Sequence, residues 1–166
     1  MATGPLAGAG PQEIDEYWMQ AALKQAELAF DAGEVPVGAV VVHEDRIIGR
    51  GHNQTEVLQD PTAHAEILAI GAAAGTLGSW RLIDCTLYVT IEPCCMCAGA
   101  VVWSRLSRLV YGAPDPKAGA CGSLYDIVSD KRLNHQVPTT HGIRMEEAGG
   151  YMKAFFLEHR RKAEEL

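Results

Sequence analysis

A chain of 166 residues with 48% apolar residues is long enough for one domain with a full core and too apolar to be disordered throughout. Its apolar runs, such as residues 37–42, fall far short of the roughly 20 residues of a bilayer span, and its five cysteines lack the even count of a disulfide framework and fit a reducing compartment. A formal net charge of -7 opposes general attraction to phosphate, so a nucleic-acid partner would need a local basic patch; His159, Arg160, Arg161 and Lys162 supply one.

Residues 1–12 are rich in Gly, Pro and Ala and lack a charged start followed by an apolar segment. They read as a flexible tail and not as a secretory signal. Ile14, Tyr17, Trp18, Ala21, Ala22, Leu28 and Ala29 recur near helical spacing, which predicts a helix over 12–32 ended by Gly33. Residues 35–43 are rich in β-branched side chains and read as a strand. Glu44 and Asp45 make a turn, and 46–51 return as a second strand. Asp60-Pro61-Thr62 opens a helix to about residue 74, with Asp60 or Thr62 as its cap. A buried strand follows over 82–91. Pro93 opens a short helix to about 104, and 106–111 form a fourth strand. Beyond a loop, a short helix is expected over 124–128 and a fifth strand over 140–145. An amphipathic helix over 149–165 closes the chain, with Tyr151, Phe155 and Phe156 on its apolar side. Alternating strands and helices without a linker give one α/β layered domain over 13–166.

His64, Glu66, Cys94 and Cys97 carry the chemistry. Zinc takes four ligands, and a catalytic site leaves one position for water. One imidazole and two thiolates supply three. Cys94 and Cys97 are three residues apart, so on a helix they share a face. Each ligand segment falls where a helix is expected to start, and a helix N-terminus favours the thiolate. Glu66 lies two residues after His64. At the open end of a helix both side chains lean the same way, and the carboxylate is then placed to shuttle protons without binding the metal. A Cys-x-x-Cys pair alone also fits a closed structural zinc knuckle or a redox pair. The combination of His-x-Glu, a strand and Pro-Cys-x-x-Cys favours catalysis over both.

The pattern resembles the zinc nucleobase deaminases, and within them the branch that acts on tRNA adenosine. The likeness runs from Glu13 to Arg161. It rests on 35–40 (Val-Pro-Val-Gly-Ala-Val), Asn53, 60–67 around His64, 86–90, Glu92-Pro93-Cys94, 96–100, Lys117, 122–124, Asn134-His135 and Phe155-Phe156. The resemblance implies a three-layer α/β/α fold with a five-stranded mixed sheet in order 2-1-3-4-5. It implies one Zn2+ per subunit on His64, Cys94 and Cys97, proton transfer by Glu66, and a cytoplasmic homodimer that converts adenosine to inosine at the wobble position of a tRNA anticodon. It assigns substrate contacts to Asn53, Val37, Ala63, Asp115, Lys117, Phe155, Phe156, Arg160 and Arg161. Pro114 and Pro116, which flank Asp115, depart from the family pattern. Two other readings stand beside this one: a deaminase of a free base or nucleoside (guanine, cytosine or cytidine), and a non-catalytic zinc-stabilised binding module, for which Glu66 would have no use. Cys85 and Cys121 read as small buried hydrophobes, His43 and His52 as non-ligands, Trp80 and Trp103 as packing or dimer-contact residues, and Arg105, Arg108, Lys131 and Arg132 as solvated charges.

Overall fold

The computed structural model describes residues 4–166. Residues 1–3 of the expected tail lie outside the described residues. Residues 4–9 form turns in which the Ala7 and Ala9 amides donate to Gly4 O and Leu6 O at 3.0 and 3.1 Å. Leu6 is partly buried against the core.

Helix α1 spans Pro11–Asp31, so Pro11 and Gln12 belong to it. Proline suits a first-turn position, where its missing N–H would have no partner. Trp18, Met19, Ala22, Leu23, Ala26 and Ala29 form its buried stripe, and the helix packs across β1 (Gly38–His43) and β3 (Cys85–Ile91). The approach is close enough that a Cβ on Gly38 would stand 2.1 Å from Ala22 O. Strand β1 begins three residues later than expected. Pro36 has no N–H to give a ladder, and the Val37 amide turns back to Val35 O at 2.8 Å.

Strand β2 (Arg46–His52) pairs antiparallel with β1. The two are joined through Glu44 and Asp45, both in the left-handed region at φ 48 and 56, as a tight hairpin demands. A one-turn helix, α2 (Thr55–Leu58), has no counterpart in the sequence expectations. Its first amides donate to the buried Glu34 carboxylate, Val57 N at 2.7 Å and Glu56 N at 3.2 Å.

Helix α3 (Ala65–Leu77) starts later than Asp60-Pro61-Thr62 suggested. Asp60 instead closes a local turn, its Oδ1 accepting the Thr62 amide at 2.8 Å, and the cap position falls to His64. Helix α4 (Cys95–Trp103) follows β3, and β4 (Arg108–Ala113) returns parallel to it. No helix forms over 124–128; Cys121 and Asp126 bridge across the loop instead. Strand β5 (Thr139–His141) ends one residue before Gly142 at φ 83. Helix α5 (Met145–Glu164) starts four residues earlier than expected, behind Arg144 at φ 51. The Arg144 guanidinium ties this entry to α1 through Glu16 O at 3.1 Å.

The sheet order is β2-β1-β3-β4-β5, antiparallel on the β1 side and parallel from β3 to β5. One core lies between the sheet and α3 and α4; a second lies under α1 and α5. This is the three-layer α/β/α arrangement in the order expected. Arg108 departs from its reading as a solvated charge. It forms a two-pronged ion pair with Asp15 at 2.6 and 2.7 Å, to which the Tyr88 hydroxyl donates at 3.0 Å. Among the described residues no helix is long and apolar enough to cross a membrane.

Candidate active site

Helices α3 and α4 both start beside the C-terminal end of β3, and their first residues face each other. His64 is the N-cap of α3 and Cys94 the N-cap of α4, each with extended backbone. Cys97 lies one turn into α4. The His64 Nδ1 atom is 3.6 Å from Cys94 Sγ and 3.5 Å from Cys97 Sγ, and the three ligand atoms all lie within 4.8 Å of one another. Hydrogen bonds from Cys97 and then His64 hold the Cys94 thiol far below its usual range, against the opposing effect of burial. The same contact with Cys94, followed by burial, pushes Cys97 up. His64 is raised chiefly by its bond to Cys94. Such a set, one imidazole and two thiols sharing their protons at hydrogen-bond range, is the donor chemistry that a soft divalent metal replaces with itself. Among the described residues no other group of His, Cys, Asp and Glu side chains has this geometry.

Glu66, at the second position of α3, is 4% exposed. Burial raises its carboxyl above the ordinary value. His64, Glu66 and Cys94 line a cavity of 270 Å³ whose remaining wall includes Val35, Val37, Asn53, Thr55, Ile91, Glu92, Asp115, Ala118 and Met152. No cation lines it.

The backbone explains why Asn53 sits here. Its amide donates to Val37 O at 3.1 Å, and the next amide, Gln54 N, donates to Ala63 O at 3.0 Å. Val37, Asn53 and Ala63 are thus brought to one wall, although Ala63 itself is buried behind it. Asp115 lines the cavity while its Oδ1 accepts the Lys117 and Ala118 amides at 3.0 and 3.2 Å.

Next to this cavity runs a groove of 820 Å³. Pro114, Pro116, Lys117, Lys153, Phe156, His159 and Arg160 line it, and it shares Ile91, Asp115 and Met152 with the cavity. Phe155 lines neither; it is buried in the domain, its ring against that of His159. Arg161 is exposed and also lines neither. Cys85 and Cys121 are buried, as read from the sequence, and Cys95 is exposed.

Glu92 and Met152 were not singled out as site residues. Met152 follows Tyr151 on a helix whose apolar side was read from the aromatics alone. Glu92 is 3% exposed. Burial alone would raise its carboxyl, but bonds from the Ser123 hydroxyl and amide and from the Asp115 and Cys121 amides outweigh it and hold the group below the usual range.

A buried carboxyl beside a His-Cys-Cys set that could hold a metal, both at helix starts on one end of a 2-1-3-4-5 sheet, is the arrangement of a hydrolytic deaminase. The chain belongs to the MafB19-like deaminase family, whose profile matches residues 13–160. Its relatives include the tRNA-specific adenosine deaminase of Bacillus subtilis (strain 168), 51% identical over 148 residues, 89% of this chain and 92% of that one. The tRNA-specific adenosine deaminase of Haemophilus influenzae is 48% identical over 149 residues, 89% and 86% of the two chains. Among solved structures, a tRNA:A34 deaminase studied for A-to-I editing at the wobble position superposes with a TM-score of 0.79 at 43% identity, covering 81% of this chain and 98% of that one. A guanine deaminase from Bacillus subtilis is 42% identical with a TM-score of 0.57, covering 60% and 64%.

Proposed function

We propose that this deaminase converts adenosine to inosine at the wobble position of a tRNA anticodon, with one zinc ion per subunit on His64, Cys94 and Cys97. The observation that carries the tRNA reading is the groove. A free base needs only the 270 Å³ cavity, whereas Lys117, Lys153 and Arg160 line an 820 Å³ channel continuous with it. In a chain of net charge -7, cations gathered beside the cavity supply the local attraction that a phosphate backbone requires.

Bound zinc supplies the Lewis acidity that makes water a nucleophile near neutral pH. The flipped adenine enters between the apolar walls of Val35, Val37, Ile91 and Met152, with the Asn53 amide at its polar edge. Glu66 takes a proton from the attacking water and delivers it to adenine N1 as oxygen bonds to C6. The second proton passes through the same carboxyl to the amino nitrogen. The C6–N6 bond breaks, ammonia leaves, and inosine remains. Water is consumed and ammonia released one for one.

The active form is a cytoplasmic homodimer in this reading. Trp80, Ile83 and Trp103 support it: they are 54, 55 and 72% exposed. Their two segments are held together by the Leu82 amide on Ser104 O at 2.7 Å, and large aromatics left open at one end of a domain suit a protein contact.

The test offers zinc-loaded protein an unmodified tRNA with adenosine at position 34 and, separately, guanine, cytosine, cytidine and adenosine. Nucleoside analysis by mass spectrometry should show inosine in the tRNA alone. Turnover of guanine or cytidine with intact tRNA would replace this reading with that of a free-base or nucleoside deaminase.

A further inference from the structure

Glu92 is the last residue before Pro93 and Cys94, so it sits between the sheet and a metal ligand. Its carboxylate is engaged by the loop over 115–123. One oxygen, Oε1, accepts the Asp115 amide at 3.1 Å and the Ser123 hydroxyl. The other, Oε2, accepts the Cys121 and Ser123 amides, both at 3.0 Å. Four donors from one loop converge on a carboxylate that is 3% exposed, and among the described residues no cation is paired with it. The fit is tight: a Cβ on Gly119 would lie 2.3 Å from Oε2 and 2.5 Å from Asp115 O. The backbone reinforces the join, with the Ala120 amide on Pro93 O at 2.8 Å and Cys94 bridged to Gly119.

This loop carries Asp115 and Ala118 into the cavity wall. It is rich in Gly, Pro and Ala and has no regular structure beyond its turns and bridges, so little within it fixes its shape. A buried anion with several N–H donors is a strong and directional organiser.

We propose that Glu92 is a positioning residue of the deamination site, locking the Asp115 end of the substrate wall to the turn that presents Cys94. The proposal rests on the deaminase reading for its kinetic consequence, and on geometry alone for its structural one. Substrate fit and the ligand turn are then set by one carboxylate, and loosening it should relax substrate binding before it disturbs the metal.

The test is Glu92→Gln, which keeps the shape and one oxygen. That oxygen can retain the Cys121 and Ser123 amides, and the new NH2 can donate to a rotated Ser123 hydroxyl. At Asp115 the NH2 faces an N–H, donor against donor, so the damage is confined to the substrate end of the loop. Hydrogen exchange should rise about tenfold at 115–118, the order of one charge-assisted hydrogen bond. KM for an anticodon stem-loop should rise by a similar factor while kcat falls less, and zinc should stay at one per chain. Met19→Ala, on the buried face of α1 on the other side of the sheet, serves as the control. It should lower the melting temperature but leave exchange at 115–118 and KM unchanged. The proposal is overturned if Glu92→Gln leaves exchange and KM within twofold of wild type, if zinc loss accounts for the lost activity, or if Met19→Ala reproduces the same pattern. Should wild type fail to deaminate the stem-loop, the tRNA reading falls. The exchange comparison still decides whether Glu92 holds the loop: a rise confined to 115–118 supports it and no rise overturns it.

Discussion

Removing Arg108 should cost this fold more than removing Asp15, although the two make one ion pair. The Asp15 side chain is 3% exposed and that of Arg108 34%. Replacing Arg108 by Met strands a carboxylate almost wholly out of water, with only the Tyr88 hydroxyl still donating to it. Breaking a buried pair in this way costs about 3–5 kcal/mol. Replacing Asp15 by Ala strands a guanidinium that is a third exposed and keeps the Thr140 hydroxyl at 2.8 Å, so solvent recovers part of the loss. Adding the buried Tyr88 hydroxyl left without an acceptor, about 2–3 kcal/mol remains. At 2–4 °C per kcal/mol for a domain of this size, Asp15→Ala should lower the melting temperature by roughly 4–12 °C and Arg108→Met by more. A double-mutant cycle from denaturant titration measures the coupling. Equal costs, or a loss below about 1 kcal/mol for Arg108→Met, would refute the argument from unequal burial. The network also sets an alkaline limit. Burial, then the Asp15 charge, raises the Tyr88 phenol above its ordinary 10.0. The stability that this group contributes is therefore fully present below pH 10 and is lost as pH climbs toward the folded value. Tyr88→Phe should flatten the decline in melting temperature above pH 10 relative to wild type.

Glu66→Ala should keep one zinc per chain and lose at least about 10²–10⁴ in kcat, the range of a general acid–base group; elemental analysis beside single-turnover kinetics checks both halves. Cys94→Ala should release the metal and lower the melting temperature together, since binding and folding are coupled. Arg160→Ala should weaken tRNA binding and flatten its salt dependence by a slope of roughly 0.7–0.9, while Arg161→Ala, outside the groove, should change neither; equal effects would remove the groove from the tRNA path. Light scattering at micromolar concentration should give twice the mass of a 17.9 kDa chain, and a monomer mass would refute the dimer.

What was legible in the sequence is what lies close along the chain. His64 and Glu66 are two residues apart, Cys94 and Cys97 three, and a helical start is enough to aim each pair. The sheet order, by contrast, came from family likeness, because periodicity reports the existence of strands but not their neighbours. Illegible were the contacts that only the completed fold creates. Asp15 meets Arg108 across 93 positions, and neither residue is marked by any local pattern. Glu92 looked like the leading residue of a motif, and its partners stand 23 to 31 positions away.

The late start of α3 has its own cause. A reader of sequence looks for Asp, Ser, Thr or Asn at the start of a helix, since their side chains satisfy the first free amides. The N-cap positions of α3 and α4 are held instead by His64 and Cys94, and neither makes a side-chain cap bond. The open helix ends therefore face the ligand cluster, and residues that would cap well are displaced: Asp60 and Thr62 spend their capping chemistry on each other, Asp60 Oδ1 accepting both the amide and the hydroxyl of Thr62 at 2.8 and 2.7 Å. Local rules fail where a chain gives up local stability for function. A helix expected at Asp60 and found at Ala65 thus marks the site as surely as the motif does, because the turn at Asp60–Thr62 and the extended backbone of His64 bring His64 to the open end of its own helix.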